Sequence, residues 1–209
     1  MSISPRESCL KECALWKELH EWFVSQAKSS EADVLFIGGD HIAWLPQSRF
    51  YADNFEPLHC LCFGSFGDSI FNLLWRIENG EVENFIPKVI VVSIGQSDFD
   101  LQPEEFLSAL SKIAEILKEK QPAAEIFFLQ LTPIGRMQSQ LRDFVRQVNA
   151  KMESALNGKA SVVYLDPSLI DLNGEVNAHL LYDFAHLSQA GYETVFEPVF
   201  AAVSSFFNP

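Results

Sequence analysis

The segment DVLFIGGD, Asp33 to Asp40, reads as a buried strand that runs into a glycine turn and ends on a carboxylate. Val34 to Ile37 are apolar without polar alternation, which suits a strand covered on both faces rather than one wet on one side. Placing that strand at Asp33 to Ile37, the sequence holds further runs of the same character at Leu58 to Phe63, Lys88 to Gly95, Glu125 to Thr132 and Ser161 to Leu165. Amphipathic stretches separate them: Glu7 to Lys28, Ser69 to Glu78, Pro103 to Lys120, Ser139 to Leu156 and Ser188 to Phe207. The clearest opens on Pro103, carries Glu104 and Glu105 in its first turn, repeats Phe106, Leu110, Ile113 and Leu117 on one stripe, and closes on Lys118 and Lys120. Those are the start, face and stop signals of a surface helix. Strands that alternate with helices need crossovers, so the sequence predicts an α/β fold: three layers, α/β/α, around a five-stranded parallel sheet.

Composition agrees with that class. The 209 residues are 48% hydrophobic and 21% charged, enough apolar material for one core, so a single domain over 1–209 is expected, with residues 1–30 as an N-terminal helical segment packed on it. No window approaches about 18 consecutive apolar residues, which argues against membrane insertion. The opening residues MSISPRESCLKECALW carry charges and no apolar h-region, so no signal peptide is read there and a cytoplasmic protein is expected. Cys9 and Cys13 fall four apart on a helical pattern, and Cys60 and Cys62 fall two apart on a strand; neither spacing suggests a disulfide, and free thiols are expected. The net charge of −13, with no cluster of Lys and Arg to interrupt it, makes nucleic acid and anionic membrane poor partners and a basic protein surface a better one.

In a parallel sheet of this kind, ligands bind beyond the carboxyl ends of the strands. The loops at that edge are Gly38-Gly39-Asp40-His41, Gly64-Ser65-Phe66-Gly67-Asp68, Gly95-Gln96-Ser97-Asp98 and Thr132-Pro133-Ile134-Gly135-Arg136. A fifth segment, Tyr182 to Leu187, precedes the last helix. Glycine directly after a strand allows a tight turn and close approach of backbone N–H groups to a ligand, though packing alone also places glycine there. Asp183 and His186 have two readings. One is a catalytic dyad in which the carboxylate orients the imidazole as a base; the other is a surface Asp and a His near a helix capped by Ser188. His59 and Phe63 read as core, His20 with Trp16 and Phe23 as one face of a packing helix, and His179 as a loop residue.

Four blocks taken together carry a family pattern: DVLFIGGD at 33–40, F-x-P-L-H-x-L-x-F-G at 55–64, LLWRIENGEVENFIPKVIVVSIG at 73–95 and LYDFAHLSQAGY at 181–192. The chain resembles the SGNH hydrolases over roughly residues 16 to 205. Within them it is similar to the alpha (catalytic) subunits of platelet-activating factor acetylhydrolase IB. The resemblance implies a flavodoxin-like sheet, no cofactor and no metal. It also implies association as a homodimer, or as a heterodimer with a paralogous alpha subunit, and with a LIS1-type WD40 protein. In the family the first block reads G-D-S with serine as nucleophile; here Gly39 replaces the aspartate and Asp40 stands at the serine, or, on a one-residue shift that makes Gly39-Asp40 the family's G-D, His41 does, and neither alignment restores a serine. Gly67 matches the family's oxyanion-hole glycine, and Ser97 stands where an asparagine amide would complete the hole. Asp183 and His186 match the family's dyad.

Acyl transfer needs a nucleophile, a base and donors aimed at the oxyanion. Loss of a triad nucleophile costs on the order of 10⁶ in turnover and loss of one oxyanion donor about 10² to 10³. An ionised Asp40 would also repel a developing oxyanion. These departures predict a catalytically impaired or inactive homologue that acts as a binding partner. The competing reading is a working acetyl-ester hydrolase on acetylated phospholipid or small acetyl esters, with a displaced nucleophile such as Ser65 or Ser69. Two further readings carry less weight. Asp40 as nucleophile on an ester would form a mixed anhydride through an oxyanion it destabilises, and Asp40, His41, Asp98, Asp183 and His186 could gather as hard metal ligands.

Overall fold

The computed structural model describes residues 14–207. Five strands, β1 (Val34–Gly38), β2 (Cys60–Gly64), β3 (Val89–Ser93), β4 (Glu125–Leu129) and β5 (Ser161–Val163), form one sheet in the order β2-β1-β3-β4-β5. Every neighbouring pair is parallel, with Val34 opposite Cys60 on one side and Val89 on the other. This is the flavodoxin-like order, and the chain leaves β1 and β3 in opposite directions, which opens a crevice at their carboxyl ends.

Among the described residues, seven α-helices accompany the sheet: α1 (Ala14–Ser29), α2 (Asp40–Trp44), α3 (Arg49–Asn54), α4 (Ile70–Glu78), α5 (Pro103–Lys120), α6 (Gln140–Leu156) and α7 (Gln189–Ser204). The side chains of β1 and β3 point alternately into two apolar layers, and both strands are buried throughout. Leu35, Ile37, Ile90 and Val92 pack with α4, α5 and α6, while Val34, Phe36, Val89 and Val91 pack with α7 and the segment around Phe55. The α/β/α layering expected from the sequence is therefore the observed one. Burying the four inward residues of β1 stabilises the sheet by roughly 1.5–3 kcal/mol each in transfer free energy.

Element boundaries differ where a turn competes with the strand. The run at Leu58 to Phe63 starts pairing only at Cys60, because Glu56–Leu58 forms a 3₁₀ turn and His59 takes a left-handed conformation with φ 52°. Strands expected to reach Gly95, Thr132 and Leu165 end at Ser93, Leu129 and Val163, where the chain peels away to form the functional edge. The helix expected at Glu7 to Lys28 is seen from Ala14; residues 7–13, with Cys9 and Cys13, lie outside the described residues. Cys60 and Cys62 are free thiols. Helix α1 packs Phe23 on Phe63, ring centroids 4.7 Å apart, and Trp16 donates to Asp68 at 2.8 Å. No helix among the described residues is long and apolar enough to cross a membrane.

Candidate active site

The end of β1 must turn sharply against β3, and Gly38 permits it. A Cβ there would stand 1.8 Å from the Ser93 carbonyl oxygen, so no other residue fits. Gly39 then donates its amide to that carbonyl at 3.0 Å, and the chain enters α2 with Asp40 in its first turn. The second loop approaches from β2. Gly67, with φ 64°, takes the left-handed turn that glycine adopts without a Cβ penalty and points its N–H at Asp40. Asp40 Oδ1 accepts that N–H at 2.5 Å.

The third component comes from the far end of the chain. Asp183 and His186 sit in a tight turn closed by a bridge between Leu181 and Leu187, with Phe184 held at φ 64°. Asp183 Oδ1 accepts the amides of Ala185 and His186 at 3.1 and 2.7 Å, and Oδ2 meets His186 Nδ1 at 2.7 Å. Burial pushes the Asp183 carboxyl up, but these donors outweigh it and hold the group below the usual carboxylate range. With Nδ1 turned to Asp183, the free ring nitrogen is Nε2, and it lies 3.7 Å from Asp40 Oδ2. Asp183, His186 and Asp40 thus form a line, carboxylate, imidazole, carboxylate, that ends on the amide of Gly67.

A cavity of about 170 Å³ lies over this line, between Asp40, His186, Gln96 and the apolar side chains of Phe99, Leu131 and Ile134. A second, of about 210 Å³, opens on the other side of His186 and is walled by Trp44, Tyr182 and Tyr192. Between them sits His41, 1% exposed, with Nδ1 3.1 Å from Gln96 Nε2. Burial pushes the His41 pKa down to about 4, so the ring is neutral near pH 7.

The remaining site candidates do not converge on the cavity in the same way. Ser97 is exposed, and Gln96 rather than Ser97 lines the cavity beside Asp40. Asp98 faces inward, where both carboxylate oxygens lie at 2.9 and 3.1 Å from the Ile70 amide, and burial raises its pKa to about 7. Ser69 is the N-cap of α4, its hydroxyl engaged in a capping box with Asn72, and Ser65 is buried with its hydroxyl on Asp68. Among the described residues no three His, Cys, Asp or Glu side chains gather where one metal ion could reach them, so the five hard ligands considered from the sequence do not assemble.

A buried ionic cluster behind the site went unread in the sequence. Arg76, 1% exposed, reaches Glu81 through Nε and Nη2, Asp68 through Nη1 at 2.8 Å, and the carbonyls of Gly38 and Phe63 at 3.1 and 2.6 Å. His20 Nδ1 adds a contact to Glu81 at 2.8 Å. The guanidinium therefore ties the end of β1, which carries Asp40, to the loop that carries Gly67. A lone arginine inside the apolar run LLWRI was the available signal, since a buried guanidinium requires anionic partners nearby.

No family model matches the chain. It is 36% identical over 182 residues to the human (Homo sapiens) platelet-activating factor acetylhydrolase IB subunit alpha1, covering 86% of this chain and 79% of that protein. It is 35% identical over 186 residues to the bovine (Bos taurus) alpha2 subunit, covering 88% and 81%. Among solved structures, a GDSL-like lipase from Bacteroides thetaiotaomicron superposes with a TM-score of 0.76 at 16% identity, covering 91% of this chain and 98% of that one. An acetylxylan esterase from Geobacillus stearothermophilus gives 0.63 at 15% identity, covering 84% and 96%. At such identities the two structures share the fold.

Proposed function

This chain belongs to the family of the platelet-activating factor acetylhydrolase IB alpha subunits, and from that premise we propose that it is a member silent toward acetyl esters, retained as a binding partner. The observation that carries this reading is the contact between Asp40 Oδ1 and the Gly67 amide. In an acyl-transfer site that amide must be open to the substrate's oxygen, and the side chain before it must be a neutral hydroxyl that the imidazole can deprotonate. Here an anion fills the amide, and the imidazole faces a group with no proton to give. The side chain of Ser97 is exposed and supplies no replacement donor in the cavity.

The fold itself is left intact by these changes, which suits a role in assembly. Its partners are then those the family resemblance implies: a second alpha-type subunit in a dimer, and a LIS1-type WD40 protein, in the cytoplasm. The net charge of −13 favours docking on a basic surface, where complementary potential speeds encounter.

Turnover of p-nitrophenyl acetate tests the enzymatic half of this reading. The purified chain is expected to hydrolyse it no faster than its His186→Ala variant does. Turnover that depends on His186 overturns the reading.

A further inference from the structure

The arrangement that blocks attack on an ester is suited to attack on a saturated carbon. At an acyl centre a nucleophile creates an oxyanion on the substrate, and the Gly67 amide is already occupied by Asp40. At an sp³ carbon no oxyanion forms on the substrate; the charge departs with the leaving group. A carboxylate with one oxygen held and the other open is the nucleophile such a displacement uses. Asp40 has that form: Oδ1 on Gly67 at 2.5 Å, Oδ2 on the His186 side, 14% of the side chain exposed, at a cavity of about 170 Å³ with Phe99, Leu131 and Ile134 on its walls.

We propose that Asp40 is a covalent nucleophile for small alkyl halides, with His186 and Asp183 driving hydrolysis of the resulting ester. In the first step a lone pair on Asp40 Oδ2 forms the bond to carbon, and the carbon–halogen bond breaks with its electron pair leaving on the halide. No acid is required, because a halide departs as a stable anion. The product is an alkyl ester of Asp40 whose carbonyl oxygen is Oδ1. In the second step His186 Nε2 takes a proton from water, and the hydroxide adds to the Asp40 carboxyl carbon. The negative charge appears on Oδ1, which the Gly67 N–H already contacts. Collapse breaks the bond between the carboxyl carbon and Oδ2, the alkoxide takes the proton from His186, and the Asp40 acid group releases its own proton to solvent. Alkyl halide and water become alcohol, halide and a proton, and Asp40 regains a carboxylate bearing one water oxygen. The retained dyad acquires a substrate in this scheme: with no serine hydroxyl to deprotonate, its task is water.

The proposal reaches beyond the loss of ester turnover, and the two fail separately. Serine labelling or acetate release bears on the earlier reading alone; the fate of Asp40 bears on this one. The experiment treats the full chain with 1-bromobutane, and tracks Asp40 by peptide mass mapping so that thiol alkylation at Cys9 or Cys13 is resolved from it. Cys60 and Cys62 are half-buried, with thiol pKa values raised by desolvation, and are poor competitors. In His186→Ala, whose fold is verified by circular dichroism, one butyl group is expected to accumulate on Asp40 at least about 10²-fold faster than on the half-exposed Asp143. Asp40→Asn is expected to show none at that position. In wild type, turnover in H₂¹⁸O is expected to place ¹⁸O in the Asp40 peptide. A folded His186→Ala variant that alkylates Asp40 no faster than Asp143, or wild-type turnover that leaves Asp40 unlabelled by ¹⁸O, overturns the proposal.

Discussion

Asp40 Oδ1 and the Gly67 amide nitrogen stand 2.5 Å apart, so the side chain after β1 closes a backbone donor that the loop after β2 points at the site. The contact joins two loops far apart in sequence at the edge between two parallel strands. It turns a hole that receives a substrate's charge into one that holds the protein's own.

Shortening that side chain reopens the amide. Asp40→Ser is expected to place a hydroxyl near His186 Nε2 and to give weak hydrolysis of p-nitrophenyl acetate that disappears on adding His186→Ala. Asp40→Ser with Ser97→Asn is expected to be more active than either single change, because these groups act as a unit. Recovery stays partial, since one absent or misplaced oxyanion donor costs about 10² to 10³ in rate and Gln96 occupies the cavity where the new amide would be needed. A folded double variant with no activity above background contradicts this account of the site.

Stability has an equally specific anchor. Arg76→Met is expected to cost about 3–5 kcal/mol in urea denaturation, because it leaves the buried carboxylates of Asp68 and Glu81 without their guanidinium. Lys151→Ala, which breaks an exposed pair with Glu104, is expected to cost under about 1 kcal/mol. Similar losses in the two variants would show that the buried cluster does not brace the loops.

Two buried groups give stability a testable dependence on pH. His41 binds its proton near pH 6.5 when unfolded but only near 4 in the fold; between those values the unfolded chain holds the extra proton, and stability rises with pH. Asp98 runs the other way, from 3.8 unfolded to about 7 folded, so the fold holds the extra proton and stability falls as pH rises across that range. Asp98→Asn removes the second slope. The stability gap between that variant and wild type is expected to widen, in the variant's favour, by roughly 1 kcal/mol per pH unit from about pH 4 to about pH 7. A gap that stays constant over this range contradicts the burial of a protonated Asp98.

Association is separable from the site. Sedimentation is expected to show a dimer for wild type and for Asp40→Ser alike, since the site residues lie in a crevice and not on a broad apolar face. A folded monomer at micromolar concentration contradicts the assembly role.

The sheet and its helices were legible because their signals are local. Pro103 to Lys120 carries its own start, stripe and stop, and the observed α5 has those bounds. Helix α2 was not read, because DHIAW is too short to show a period and its N-cap, Gly39, makes no side-chain cap. Spacing left Asp183 and His186 with two readings, and the family resemblance singled them out as a dyad and placed a carboxylate at Asp40. The contact from Asp40 to Gly67 could not, because it depends on how a left-handed glycine turn on one strand end meets a helix start on its neighbour. Ser97 illustrates the converse: its place in the pattern was clear, while its exposure is set by the path of the loop that buries Asp98 instead.

Labelling by a fluorophosphonate, read by intact mass, tests the central claim most directly, because the reagent reports whether any serine is held before His186 in reactive form. The account predicts no adduct on the wild-type chain and a slow, His186-dependent adduct on Asp40→Ser. A stoichiometric adduct on wild type that vanishes in His186→Ala would contradict it.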